Sequence, residues 1–191
     1  ISSLCGHYAL KVSYIKNSFY NYIWRNNTAN GEQINYYYDE HDKITELDDN
    51  IIKNKCLSAH NVSNVGKITL IDCTNLTVRD SELSNNSLSS SYGIFLWNSD
   101  NNNLTGNTLS NNNDGIRLYN SSNNNFTDLQ TTNPSNQYGA FLSDSDHNSI
   151  TDSSLAATNS HGLWISSSEH TTLINIEISS VDSSGLSTIG A

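Results

Sequence analysis

A glycine returns at nearly constant intervals through the second half of this chain: Gly93, Gly115, Gly139, Gly162 and Gly185 are 22, 24, 23 and 23 residues apart. The stretches around them, "YGIFLWNSDNNNLTGNTLSNNN", "DGIRLYNSSNNNFTDLQTTN", "YGAFLSDSDHNSITDSSLAATN" and "HGLWISSSEHTTLINIEISS", are crowded with asparagine and serine. Low-complexity polar sequence keeps no such register, so a structural unit is repeating.

Aligned on the glycines, the columns read as strands. Ile94/Leu96, Ile116/Leu118, Ala140/Leu142 and Leu163/Ile165 alternate with outward residues, the period of a strand with one buried face. Eleven residues after each glycine stands another apolar residue: Leu104, Phe126, Ile150 and Leu173. Five further on come Leu109, Leu155 and Ile178, with Thr131 as the polar exception. Ile68/Leu70, Val78 and Leu83 extend the pattern upstream, and Leu57 and Val62 fit its last two stations. Three short inward-facing segments in about 23 residues leave no room for a helix. The expected fold is all-β, a right-handed parallel β-helix or β-solenoid. Residues 67–191 form its regular coils, and residues 1–66 are irregular coils of the same solenoid. That irregular part includes the loosely alternating Tyr8–Trp24 and an acidic loop or bulge at Asp39–Asn50.

One such coil cannot bury enough apolar surface to stand alone, so contacts between coils must supply the rest. Two polar columns suit that role. Asn102, Asn124 and Asn148 share a station where amides about 4.8 Å apart can bond from coil to coil. Cys73, Ser99, Ser121, Ser145 and Ser168 share one suited to small residues.

The units G-I-x-L-x-N-S-x-N-N-x-[LF]-T and L-S-N-N resemble the parallel β-helix repeats of secreted archaeal surface proteins, often described as NosD-like or carbohydrate-binding-and-sugar-hydrolysis repeats. "GEQINYYYDEHDKI" followed by "VGKITLIDCTNLTVRD" is similar to a segment common in that group. The resemblance covers about residues 31–191. It implies the β-helix fold and a surface role; such repeats occur in lyases, epimerases, adhesins, surface layers and sheaths. An archaeal sheath subunit is the most specific role it implies.

Charge narrows the classes. With 19 acidic against 9 basic side chains, the chain lacks the clustered Lys and Arg that nucleic acid requires. It has no apolar run long enough to span a membrane. A start at Ile1 without methionine fits a processed secreted protein or an excised fragment. Sequons begin at Asn26, Asn61, Asn75, Asn85, Asn103, Asn120 and Asn125; ladder positions cannot all carry glycans, but an extracellular, cell-surface location is expected.

Four constellations bear on chemistry. His147 and His170 share a station in adjacent coils beside Asp146 and Glu169, where stacked imidazoles are weak candidates for a divalent metal; a solvated polar turn is the expected reading, with no cofactor assigned. For catalysis, the only arginines are Arg25, Arg79 and Arg117, and Asp144, Asp146 and Asp152 form no fixed carboxylate pair. No catalytic residue is assigned, and the protein is expected not to be an enzyme. Phe95, Trp97, Arg117, Tyr119, Phe141 and Trp164 alternate with the buried residues of the first strand. They are expected to form a contiguous exposed strip, stacking on sugar rings or packing against another subunit. Finally, the cysteine count is odd: Cys73 falls in the small, buried column, while Cys5 and Cys56 are candidates for disulfides between subunits.

The last coil stops within "SSGLSTIGA", with no amphipathic capping helix visible at either end. An open β edge invites the next molecule to continue the stack. The sequence therefore favours a structural subunit of an extracellular homopolymer such as a sheath, surface layer or filament. The alternative is a glycan-binding or polysaccharide-processing β-helix.

Overall fold

A computed structural model describes residues 28–29, 32–33, 35–38, 59–60, 63–65, 68–84, 92–132, 137–181 and 185–190, with side chains from residue 68 onward. Leu57, Val62, Arg25, Cys5, Cys56 and most of the irregular segment 1–66 therefore lie outside the described residues. The chain is a β-solenoid, and the described residues contain strands and turns but no helix.

Each turn begins with a strand of a first wall: Asn35–Tyr38, Ile68–Ile71, Tyr92–Trp97, Asp114–Tyr119, Tyr138–Ser143, Leu163–Ser166 and Leu186–Ile189. These seven stack in sequence order as one parallel sheet. Thr28–Ala29 and Glu32–Gln33 pair antiparallel as a separate two-stranded sheet, and the remaining strands form a second parallel sheet. Thr77–Arg79, Asn103–Thr105 and Asn125–Thr127 stack in one ribbon, and Glu82–Ser84, Thr108–Ser110 and Gln130–Thr132 in another. The ribbons merge where the nine-residue strands Ser149–Ala157 and Thr172–Ser180 run through both.

The glycine spacing proves to be the strand register. Ile94 pairs with Ile116, Ile116 with Ala140, Ala140 with Leu163, and Leu163 with Leu186. Gly139 shows why the column admits no side chain: a Cβ there would lie 2.5 Å from the carbonyl oxygen of Gly162 in the next turn. The requirement is close approach between strands.

The interior is one continuous stack. Ile68, Leu70, Ile94, Leu96, Ile116, Leu118, Ala140, Leu142, Leu163 and Ile165 line it from the first wall; Val78, Leu104, Phe126 and Ile150, with Leu83, Leu109 and Leu155, line it from the others. All are buried, as their columns require. Leu173 and Ile178 pack against this core and are partly buried. Thr131, the polar exception, is buried too; its hydroxyl accepts from Ala156 N–H at 2.9 Å and donates to the Ala156 carbonyl oxygen at 3.4 Å, so the substitution leaves no unmet donor.

Between strands the chain turns on residues with left-handed backbone. One corner is built by Asp72, Asn98, Asn120, Asp144 and Ser167, with φ between 47° and 52°. A second is built by Asn75, Asn101, Asn123, His147 and His170, and a third by Asp80, Gly106, Asp128, Asp152 and Asn175. Asn, Asp and His enter this region most readily of the non-glycine residues, which explains much of the unusual composition.

The corners are tied together by side chains bonding to backbone. Ser99 N–H donates to Ser121 Oγ at 3.1 Å, Ser121 N–H to Ser145 Oγ at 3.1 Å, and Ser145 N–H to Ser168 Oγ at 3.0 Å. Cys73, fully buried, begins the column with its N–H on Ser99 Oγ. In the asparagine column, Leu76 N–H donates to Asn102 Oδ1, Asn102 N–H to Asn124 Oδ1, and Asn124 N–H to Asn148 Oδ1, at 2.8 to 3.0 Å. A direct amide–amide bond joins Asn102 Nδ2 to Asn124 Oδ1 at 3.0 Å; the other Nδ2 bonds of these three residues go to backbone carbonyls. The ladder expected between amides is therefore mainly one between amide and backbone.

Asn124→Ala removes the acceptor of the buried Asn102 N–H, and a buried unmet donor costs about 1–3 kcal/mol. Urea unfolding should show a loss of that size. Asn103→Ala, an exposed neighbour on the same wall, should shift stability by less than about 0.5 kcal/mol. Equal effects would contradict the ladder's role.

Candidate functional site

The first wall carries the side-chain chemistry on its outer face. Three columns run along it: Tyr92, Asp114, Tyr138 and His161; then Phe95, Arg117, Phe141 and Trp164; then Trp97 and Tyr119. The six residues expected as an exposed strip are brought together here, but their exposure differs from that expectation. Phe95 is buried, and the other five are half-buried. The reason is lateral packing among large rings. Tyr92 and Phe95 lie 5.3 Å apart, Trp97 and Tyr119 5.7 Å, Tyr119 and Phe141 5.6 Å. With Ile71, the rings of Tyr92, Phe95, Trp97 and Tyr119 make a small second core outside the solenoid. Towards the later turns the face opens into a partly exposed platform. Phe141 and Trp164 stack nearly parallel at 11°, with Tyr138 edge-on to Trp164 at 5.7 Å.

One turn interrupts the aromatic columns with charge. Asp114 stands where its neighbours have Tyr92 and Tyr138, and Arg117 where they have Phe95 and Phe141. The Asp114 side chain is fully buried, and its Oδ2 is 2.8 Å from Arg117 Nη2. The guanidinium is surrounded by rings, 4.5 Å from Phe141, 4.8 Å from Tyr92, 5.7 Å from Tyr138 and 5.9 Å from Tyr119. Such contacts stabilise a cation whose water has been stripped away. Arg117 Nη1 also donates to Tyr92 Oη at 3.3 Å. The contact to Oδ2 lacks hydrogen-bond geometry, so Oδ2 and Arg117 Nε have no hydrogen-bond partner. Burial pushes the Asp114 carboxyl up to about 6, against the opposing pull of Arg117 and of Tyr138 N–H, which donates to Oδ1.

Asp114, Tyr92, Tyr138 and His161 are the site residues that sequence reasoning passed over. The available signal was the column itself, an acid among Tyr, Tyr and His directly before the glycines.

The histidine station forms as expected: His147 and His170 stack with centroids 4.7 Å apart and planes 7° from parallel. His170 Nδ1 is 3.9 Å from Glu169 Oε2, with both side chains largely exposed. Parallel stacked rings hold their nitrogen lone pairs in separate planes, so the two do not converge on one ion. Both residues sit at a left-handed corner that earlier turns fill with asparagine. Asp144 and Asp152 likewise occupy left-handed corners, and Asp146 Oδ1 accepts from Glu169 N–H at 2.7 Å. Arg79 is exposed on the other sheet, 4.0 Å from Asp80.

A parallel β-solenoid with polar corner ladders and a recessed aromatic face is thus the class of protein the coordinates define. Residues 23–191 match the family described as "Periplasmic copper-binding protein (NosD)", and the chain belongs to that family. No curated protein and no solved structure gives a significant match. The family description places such proteins in the cell envelope outside the cytoplasm. No helix among the described residues is long and apolar enough to cross a membrane. As for copper, the described residues contain no group of three or more His, Cys, Asp or Glu placed to hold an ion. The stacked histidines do not converge, and the chain has no methionine thioether for Cu(I). The described residues do not fit a copper centre.

Because the Asp114 pKa is raised on folding, the folded state binds this proton more tightly than the unfolded chain. Its contribution to stability is therefore fully present below the ordinary value of 3.8 and is lost as pH rises to about 6. In urea unfolding, wild type should fall relative to Asp114→Asn across that window, by on the order of 3 kcal/mol, and run parallel to it above pH 7. Parallel profiles from pH 4 to 7 would contradict the buried acid.

Proposed function

We propose that this protein is a non-catalytic, glycan-binding solenoid of the cell envelope that uses the outer face of its first wall. The observation that carries this reading is the platform of Tyr138, Phe141 and Trp164, partly exposed and bordered by the Asp114–Arg117 pair. Aromatic planes beside a few fixed polar groups suit sugar rings, which present apolar C–H faces and hydroxyl edges. Binding without turnover is favoured because the Asp114 carboxylate is buried against Arg117 and is not presented to a ligand. Trp164→Ala should weaken binding to a soluble polysaccharide about tenfold or more, equivalent to about 1.4 kcal/mol, with a single cooperative unfolding transition retained. Affinity electrophoresis reads the first quantity and thermal denaturation the second. Undiminished binding by the variant would refute the site, and detectable depolymerisation abolished by Asp114→Asn would refute the non-catalytic part.

A second reading is the structural subunit of a surface polymer: a sheath, surface layer or filament, with an archaeal sheath as its most specific form. It is favoured by apolar side chains on the last described turns, with Ile174, Leu186 and Ile189 between 44% and 56% exposed. Ile174 and Ile189 stand in outward columns of their strands, where a second copy packing on those walls would cover them. In this reading Cys5 or Cys56 is the candidate for a cross-link between copies, since Cys73 is disulfide-bonded and the chain has three cysteines. Electron microscopy of native material, with and without detergent and thiol, distinguishes the two: ordered polymers that loosen only with thiol favour it, and dispersed monomers exclude it.

A further inference from the structure

The aromatic face has an electrostatic character that narrows its ligand. Of the nine Lys and Arg side chains in the sequence, the described residues include two, Arg79 and Arg117. Arg79 belongs to the other sheet and pairs with Asp80. Arg117 is on the face, but Asp114 lies 2.8 Å from it, four rings surround it, and its side chain is only 13% exposed. Its charge is spent within the protein. The chain as a whole carries a formal charge of −10, so an approaching polyanion meets repulsion with no exposed cation on this face, among the described residues, to offset it.

Geometry adds a direction. Phe141 and Trp164 are register partners on adjacent strands, as are Asp114 and Tyr138, and Arg117 and Phe141. The Phe141 and Trp164 rings therefore lie on successive turns along the solenoid axis, with centroids 6.5 Å apart on strands spaced about 4.8 Å, a spacing on the scale of one pyranose residue. A chain of sugars lying parallel to the axis meets one turn of the protein per residue; one lying across it meets a single turn.

We propose that the platform of Tyr138, Phe141 and Trp164 binds an uncharged, extended polysaccharide aligned along the solenoid axis, and discriminates against acidic polysaccharides. This rests on the glycan-binding reading above and specifies its ligand class. The caged ion pair supplies a rigid, electrically neutral floor beside the platform. Selectivity arises because acidic chains are repelled by the net charge and meet no exposed cation on this face among the described residues.

The test is affinity electrophoresis and calorimetry of the whole chain with three neutral probes (soluble β-glucan, xylan and chitin oligosaccharides) and two acidic ones (polygalacturonate and alginate). The expected result is retention by at least one neutral probe, at least tenfold tighter than by either acidic one. That affinity should change less than about twofold between low and high salt, since screening acts on charges. It should rise with oligosaccharide length up to two or three residues, the number of turns that the platform and its floor span, and fall in Phe141→Ala and Trp164→Ala. Preference for an acidic probe, or affinity that collapses with salt, overturns this inference while leaving glycan binding standing. No retention by any of the five overturns both. Affinity independent of length beyond one residue overturns the axial alignment.

Discussion

The structure depends on satisfying backbone N–H groups at its corners. In a narrow solenoid the strands bond to the turns above and below, but the residues linking them have left the regular sheet and are still buried. Ser99, Asn102, Ser121, Asn124, Ser145 and Asn148 are all nearly inaccessible. Each N–H of the serine and asparagine columns, from Cys73 to Ser145 and from Leu76 to Asn124, is met by a side-chain oxygen one turn further on. A buried donor without a partner costs as much as a well-packed methylene or two contributes. The polar columns are thus as much part of the core as the leucines. The arrangement tolerates exchange at individual positions: Leu129 stands where Asn107 does one turn earlier, and its N–H is still accepted by Ser153 Oγ at 3.0 Å.

Much of this was legible in the sequence because a solenoid writes its register directly into residue spacing. The intervals of 22, 24, 23 and 23 between glycines equal the offsets between paired strands, and the apolar columns fall inside as period two demands. The serine and asparagine columns were visible for the same reason. Less legible was the outer face, since alternation says which side of a strand a residue occupies but not what lies beside it. Phe95 reads as outward and exposed, yet Tyr92, Trp97 and Tyr119 close around it. Asp114 was missed because it precedes the glycine, outside the alternating positions that define the strip. Its meaning emerges only when Arg117, three residues on, proves to be its partner. The left-handed corners also escaped notice, although they account for the histidines at 147 and 170 more simply than metal binding does.

Function follows from rigidity. Ladders at the corners hold successive turns in fixed register, so side chains in one column repeat along the axis without any need for a preformed pocket. The first wall uses this to set Tyr138, Phe141 and Trp164 on neighbouring turns and to sink a charged pair among rings. Within the NosD family, the described part of this chain offers an extended surface rather than a converging set of metal ligands. Extended repeating surfaces suit extended repeating partners.

The most direct test of the account is amide hydrogen exchange, read residue by residue, at the corners. Ser99, Asn102, Ser121, Asn124 and Ser145 lie outside the strands, where turn amides ordinarily exchange quickly. The ladders predict that these five exchange as slowly as Leu96, Leu118 and Leu142 on the first wall, opening only when the whole solenoid does. Exchange at the rate of exposed turns, with the wall amides still protected, would contradict it.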